Sequence, residues 1–78
     1  MSIVIIEDDV RVASFLERGL KREGFLVQTC ADGKGAIDLV LQVQPAVIIL
    51  DRMLPNIDGI ELCSRMRARG IKAKILIL

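Results

Sequence analysis

Apolar residues follow two alternating rhythms along this chain. Unbroken runs, Ile3-Val4-Ile5-Ile6 and Ala46-Val47-Ile48-Ile49-Leu50, read as strands covered on both faces. Between them the apolar positions recur every three or four residues, the period of a helix with one buried face. Ser2 to Ile6 is predicted as the first strand. From Val10 to Glu23, Val12, Phe15, Leu16, Gly19 and Leu20 share one helical face. Arg11, Glu17, Arg18, Lys21 and Arg22 fall on the other, and Gly24 is a natural stop. Phe25 to Cys30 reads as a second strand, followed by a turn at Ala31-Asp32-Gly33.

Lys34 to Gln44 reads as a second helix with Ile37, Val40 and Leu41 facing inward, closed by Pro45. Val47 to Asp51 is the third strand and Arg52 to Ile57 a loop. Asp58 is suited to cap a third helix that runs to about Arg69, with Ile60, Cys63 and Met66 as its apolar stripe. Arg65, Arg67 and Arg69 lie near its end, where the helix dipole favours cations. Gly70 ends that helix, and Ala73 to Leu78 begins a fourth strand. Strands and helices alternate with short links, which predicts right-handed βαβ units and a parallel α/β sheet flanked by helices.

Composition narrows the possible functions. With 78 residues there is room for one small domain. A net charge of +1 gives no electrostatic case for nucleic acid or membrane binding. The apolar residues are almost all aliphatic, which suits a core and leaves no aromatic surface for stacking on bases. No apolar run nears the roughly 18 residues of a membrane span. The chain opens on strand-like residues without a basic leader, the expectation for a cytoplasmic protein. Histidine is absent, and Cys30 and Cys63 stand alone, so zinc and histidine-dependent catalysis are excluded and buried thiols are expected.

The candidate chemistry lies where the strands stop. The first ends at Glu7-Asp8-Asp9 and the third at Asp51. Open parallel sheets bind ligands beyond the carboxyl ends of their strands. Carboxylates gathered there repel one another, and a hard cation such as Mg2+ offsets that charge. A carboxylate is also a nucleophile toward phosphorus when a divalent cation neutralises the approaching anions. Asp51 is placed as that nucleophile and Asp8 as a direct metal ligand. Glu7 would bind through water or as a second ligand, and the Met53 backbone carbonyl could complete the shell. Asp9 is better suited to capping the helix that follows. Asp32-Gly33-Lys34-Gly35 lacks the spacing of a phosphate loop and follows the wrong strand.

Three segments resemble the receiver domain of two-component response regulators. They are Ile3-Val4-Ile5-Ile6-Glu7-Asp8-Asp9, Ala31-Asp32-Gly33, and the run from Ile48 through Asp51-Arg52-Met53-Leu54-Pro55-Asn56-Ile57-Asp58-Gly59. The last is the most specific, because Asp, Leu-Pro and Asp-Gly all fall at the family spacing. The resemblance covers the whole chain and is greatest to receivers joined to winged-helix DNA-binding domains. It implies a flavodoxin-like doubly wound parallel sheet of strand order 2-1-3-4-5, incomplete here. It implies that a sensor histidine kinase phosphorylates Asp51, with Mg2+ held by Glu7, Asp8, Asp51 and the Met53 carbonyl. Pro55 and Gly59 would shape the adjoining loop.

On the same resemblance, residues 1–78 are the N-terminal portion of a receiver, ending at its fourth strand. The family's Ser/Thr switch residue and its phosphate-contacting Lys would follow Leu78, and DNA would be bound only through an effector domain. Three expectations accompany this reading: the chain is a signalling module and not an enzyme, it phosphorylates poorly by itself, and it self-associates through the apolar fourth strand. The competing class is an aspartyl-phosphate phosphatase or phosphotransferase of the haloacid dehalogenase type. Such enzymes carry a second Asp two residues after the nucleophile, where this chain has Met53. A receiver-like interaction module that is never phosphorylated is the third class.

Overall fold

The computed structural model describes all 78 residues. The elements run β1 (Ser2–Ile6), α1 (Val10–Arg22), β2 (Leu26–Cys30), α2 (Ala36–Val43), β3 (Val47–Leu50), α3 (Gly59–Ala68) and β4 (Lys74–Ile77). The four strands form one parallel sheet in the order β2-β1-β3-β4. The α/β class and the order 2-1-3-4 are as expected. No helix is long and apolar enough to cross a membrane.

Strand alternation divides the core between the two sheet faces. Val4, Ile6, Ile48 and Leu50 point to one face, where Ala36 and Val40 of α2 and Leu62 and Met66 of α3 cover them. Ile3, Ile5 and Val27 point to the other, beside Leu16 and Leu20 of α1. Both central strands are thus covered on two faces, which explains their unbroken apolar runs.

The helix faces differ in detail from their prediction. Phe15 was expected to face inward but is 70% exposed, and Val12 is exposed as well. Helix α1 packs on β2 and β1 through Leu16 and Leu20, and Phe15 lies outside that contact. Helix α2 starts at Ala36 and not at Lys34, because Asp32 Oδ1 accepts the Lys34 N–H at 2.9 Å and holds a turn there. Its contact stripe is therefore Ala36 and Val40, with Ile37 and Val43 at the margins, and Leu41 is exposed. On α3 the stripe is Gly59, Leu62 and Met66. Cys63 flanks it, and Ile60 turns outward, half exposed. Cys30 and Cys63 are free thiols, only partly buried.

Asp9 caps α1 as expected, its Oδ1 accepting the N–H groups of Arg11 at 2.9 Å and Val12 at 3.3 Å. Asp9→Ala leaves those donors to water and costs about 1 kcal/mol. In a domain of this size that lowers Tm by roughly 4–8 °C, measurable by thermal circular dichroism. A Tm within a degree of the parent would show that the cap carries no weight.

Candidate metal centre

Register brings the acidic residues together. Strands β1 and β3 are neighbours, with Ile6 opposite Leu50. The next residues, Glu7 and Asp51, therefore leave the sheet side by side. Two backbone bonds fasten them: Glu7 N–H donates to Cys30 O at 3.0 Å, and Asp51 N–H donates to Ile6 O at 2.9 Å. Carboxylate oxygens of Glu7, Asp8 and Asp51 all lie within 4.8 Å of one another.

The three environments differ. Glu7 is the one charged residue that is buried, 7% exposed. Its Oε2 accepts the Asp9 N–H at 3.0 Å. Asp51 is half-buried and Asp8 exposed. Burial is the main reason that the Glu7 carboxyl titrates above the usual carboxylate range. The Asp9 N–H opposes that rise, whereas the neighbouring Asp51 and Asp8 reinforce it.

No basic side chain is paired with this cluster. The ion pairs of the structure are Arg11–Asp9, Lys21–Glu17, Arg52–Asp58 and Arg65–Glu61. Arg52, although next to Asp51 in sequence, turns to Asp58 at 3.9 Å. A site made of carboxylate oxygens, with neither imidazole nor thiolate among them, fits a hard divalent cation.

The loop after β3 holds Asp51 in place. Asp51 Oδ1 accepts the Met53 N–H at 3.1 Å. Met53 forms an isolated antiparallel bridge with Asp58, and the Gly59 N–H donates to Arg52 O at 2.7 Å. Asp58 Oδ1 caps α3 through the Ile60 N–H at 2.7 Å. The loop is thus tied at both ends, and the Met53 peptide is held against Asp51. The Met53 side chain itself points to solvent. A Cβ on Gly59 would lie 2.7 Å from both Arg52 Cα and Asp51 O. The close approach of Gly59 and the burial of Glu7 were not evident from residue types. The only signal for the first was the Asp58-Gly59 pair in the quoted run, and for the second the run of apolar residues leading into Glu7.

The raised Glu7 pKa has a consequence for stability without metal. The folded state binds the Glu7 proton more tightly than the unfolded chain does. The resulting cost is therefore complete above the folded pKa and is relieved as pH falls through it. In chelator, Tm is expected to rise on acidification from about pH 7.5 toward the ordinary carboxylate range near pH 4–5. Glu7→Gln should flatten this rise. An equally steep rise in that variant would assign the effect to another group.

The response regulator receiver domain family matches residues 3–78. Response regulator MprA of Mycolicibacterium vanbaalenii is 37% identical over 76 residues, which cover 97% of this chain and 33% of that protein. The chain thus spans about a third of the length of such curated relatives. Among solved structures, the BeF3-activated N-terminal receiver domain of Klebsiella pneumoniae RstA superposes with a TM-score of 0.92 at 28% identity. That match covers 99% of this chain and 65% of the other. Response regulator TrrA of Thermotoga maritima, in complex with Mg2+ and BeF, gives 0.90 at 26% identity, covering 97% and 66%. With the 2-1-3-4 sheet and the acidic cluster at its carboxyl edge, these likenesses lead to one conclusion: the chain belongs to the receiver domain family of two-component response regulators.

Proposed function

We propose that Asp51 is the phosphoryl acceptor of this receiver, and that Glu7, Asp8, Asp51 and the Met53 backbone carbonyl hold Mg2+ beside it. The observation that carries this reading is the convergence of three carboxylates within 4.8 Å with no basic side chain paired to any of them. Bound there, Mg2+ would neutralise charge between the phosphoryl oxygens and the attacking carboxylate.

The chain's own groups prepare the attack. The Met53 N–H occupies one oxygen of Asp51 and fixes the plane of the carboxylate, leaving the other oxygen to react. That oxygen attacks the phosphorus of a phosphohistidine on a sensor kinase. An O–P bond forms, the P–N bond breaks, and the imidazole leaves with the electron pair and takes up a proton. Glu7, held by the Asp9 N–H, supplies a fixed negative charge from inside the fold.

The wider setting is part of the same proposal. Residues 1–78 are the N-terminal portion of a receiver in a longer cytoplasmic regulator. Its output is transcription, through an effector domain that binds DNA. The relatives' greater length, and their being response regulators, support the longer regulator.

The test is Mg2+ binding as a function of pH. At neutral pH, Mg2+ should raise the Tm of the chain. The rise should shrink as pH falls, beginning above the ordinary carboxylate range of about 4 to 4.5 because burial raises the Glu7 pKa. No Mg2+ response at neutral pH would overturn the metal assignment. A response that stays constant until the ordinary range would remove Glu7 from it.

A further inference from the structure

The turn between β2 and α2 touches both sides of the acidic site. At one side stands Cys30, the last residue of β2, whose carbonyl accepts the Glu7 N–H at 3.0 Å. The Cys30 thiol donates to Asp32 O at 3.0 Å, and Asp32 Oδ1 accepts the Lys34 N–H at 2.9 Å. The turn is therefore fastened where Glu7 leaves the sheet. At the other side stands Gly33, which is buried. A Cβ on Gly33 would overlap Ile57 Cγ2 and would lie 3.5 Å from Leu62 Cδ2. The glycines with left-handed backbone are Gly24 and Gly70. At Gly33, space and not conformation excludes a side chain.

Ile57 passes this contact to the site. It lies in the loop after β3, half-buried against the core. The next residue, Asp58, bridges Met53 and caps α3. The Met53 N–H in turn holds the Asp51 carboxylate. A shift of Ile57 is thus carried through Asp58 to the Met53 peptide and to Asp51.

We propose that Gly33 is a positioning residue of the acidic site. It touches neither metal nor phosphoryl group. It acts through Ile57, whose seat against the bare Gly33 backbone sets where the Met53 peptide stands. The inference rests on the reading of this site as a Mg2+ centre. An alanine at 33 forces Ile57 to give way, and the loop moves with it. With alanine at 57 as well, the nearest atom of that residue is its Cβ, 3.7 Å from the new methyl, an ordinary contact. The effect of a methyl at 33 therefore depends on the side chain at 57.

Mg2+ titration of the 78-residue chain, at a temperature where circular dichroism shows each variant folded, tests the proposal. Gly33→Ala should raise the Mg2+ dissociation constant on the order of tenfold, the usual effect of disturbing the groups that hold metal ligands. Ile57→Ala should raise it too, and Gly33→Ala added to that variant should raise it no further. Gly35→Ala, in the same turn but with nothing within 4 Å of its added Cβ, should leave it unchanged. A glycine that merely supports the fold would lower Tm and leave the dissociation constant where it is. Unchanged affinity in Gly33→Ala, an equal loss in Gly35→Ala, or an undiminished loss in the Ile57→Ala background would overturn the proposal. Ile57→Ala only removes atoms, so if Gly33→Ala fails to fold, unchanged affinity in Ile57→Ala overturns it. No Mg2+ binding by the parent chain would overturn the metal reading, and this proposal with it. Parental binding with unaffected variants would overturn this proposal alone.

Discussion

Asp51→Asn is expected to abolish phosphorylation while leaving the fold intact. The substitution keeps the shape of the side chain and an oxygen that can accept the Met53 N–H. It removes the anionic oxygen that attacks phosphorus, and an amide is not a nucleophile of comparable strength. In the longer regulator proposed to carry this segment, incubation with acetyl phosphate and Mg2+ should yield one acid-stable, base-labile adduct per chain. The variant should show none. Persistent labelling would mean that another group is the acceptor. In residues 1–78 alone the same change should weaken Mg2+ binding by about tenfold or more, since one of three carboxylates is lost. The metal-free Tm should rise, because Glu7 loses the negative neighbour that helps to raise its pKa. This opposite movement of stability and Mg2+ affinity separates a site residue from one that merely supports the fold.

Gly59→Ala should have the larger effect on structure. The new methyl would sit 2.7 Å from Arg52 Cα and Asp51 O, and 3.2 Å from Asp51 C. These are backbone atoms and cannot rotate away as the end of a side chain could. Either α3 retreats from the loop or the Asp51–Arg52 peptide moves. Overpacking of this kind costs about 1–3 kcal/mol. For a chain of this size the corresponding fall in Tm is on the order of 5–20 °C. Movement of Asp51 should weaken Mg2+ binding in proportion, measured by titration at a temperature where the variant is folded. Gly19→Ala is the contrasting substitution. Gly19 lies within α1 with nothing inside 4 Å of an added Cβ. Alanine there should stabilise by about 0.5–1 kcal/mol. If the two substitutions behaved alike, the close approach at Gly59 would not be what holds the loop.

The two glycines mark how far the chain could be read before folding. Both lie in segments with helical periodicity, and only the capping Asp58 before Gly59 distinguishes them. The difference is that Asp51 and Arg52, several residues earlier in the chain, return to meet Gly59. Phe15 makes the same point on α1. Its spacing with Val12, Leu16 and Leu20 is that of an inward face, yet only Leu16 and Leu20 of these pack against the core of β1 and β2. On α3, the tie between Gly59 and the Asp51 loop turns Leu62 inward in place of the predicted Ile60, while Met66 is buried as expected.

What the sequence determined by itself was the order of strands and helices, the parallel α/β class, and the ending of two buried strands in carboxylates. These are local properties, written in periods of two and about 3.6 residues and in caps such as Asp9 and Asp58. What only the tertiary structure decided was which of those residues meet. The pairing of Ile6 with Leu50 sets Glu7 beside Asp51, and the packing around the end of β1 buries Glu7 and raises its pKa. Strand register and burial depend on contacts between residues more than forty positions apart. Periodicity carries no information across that distance, so the sheet edge that gathers the acidic residues was legible from the strand ends, whereas their register, distances and burial were not.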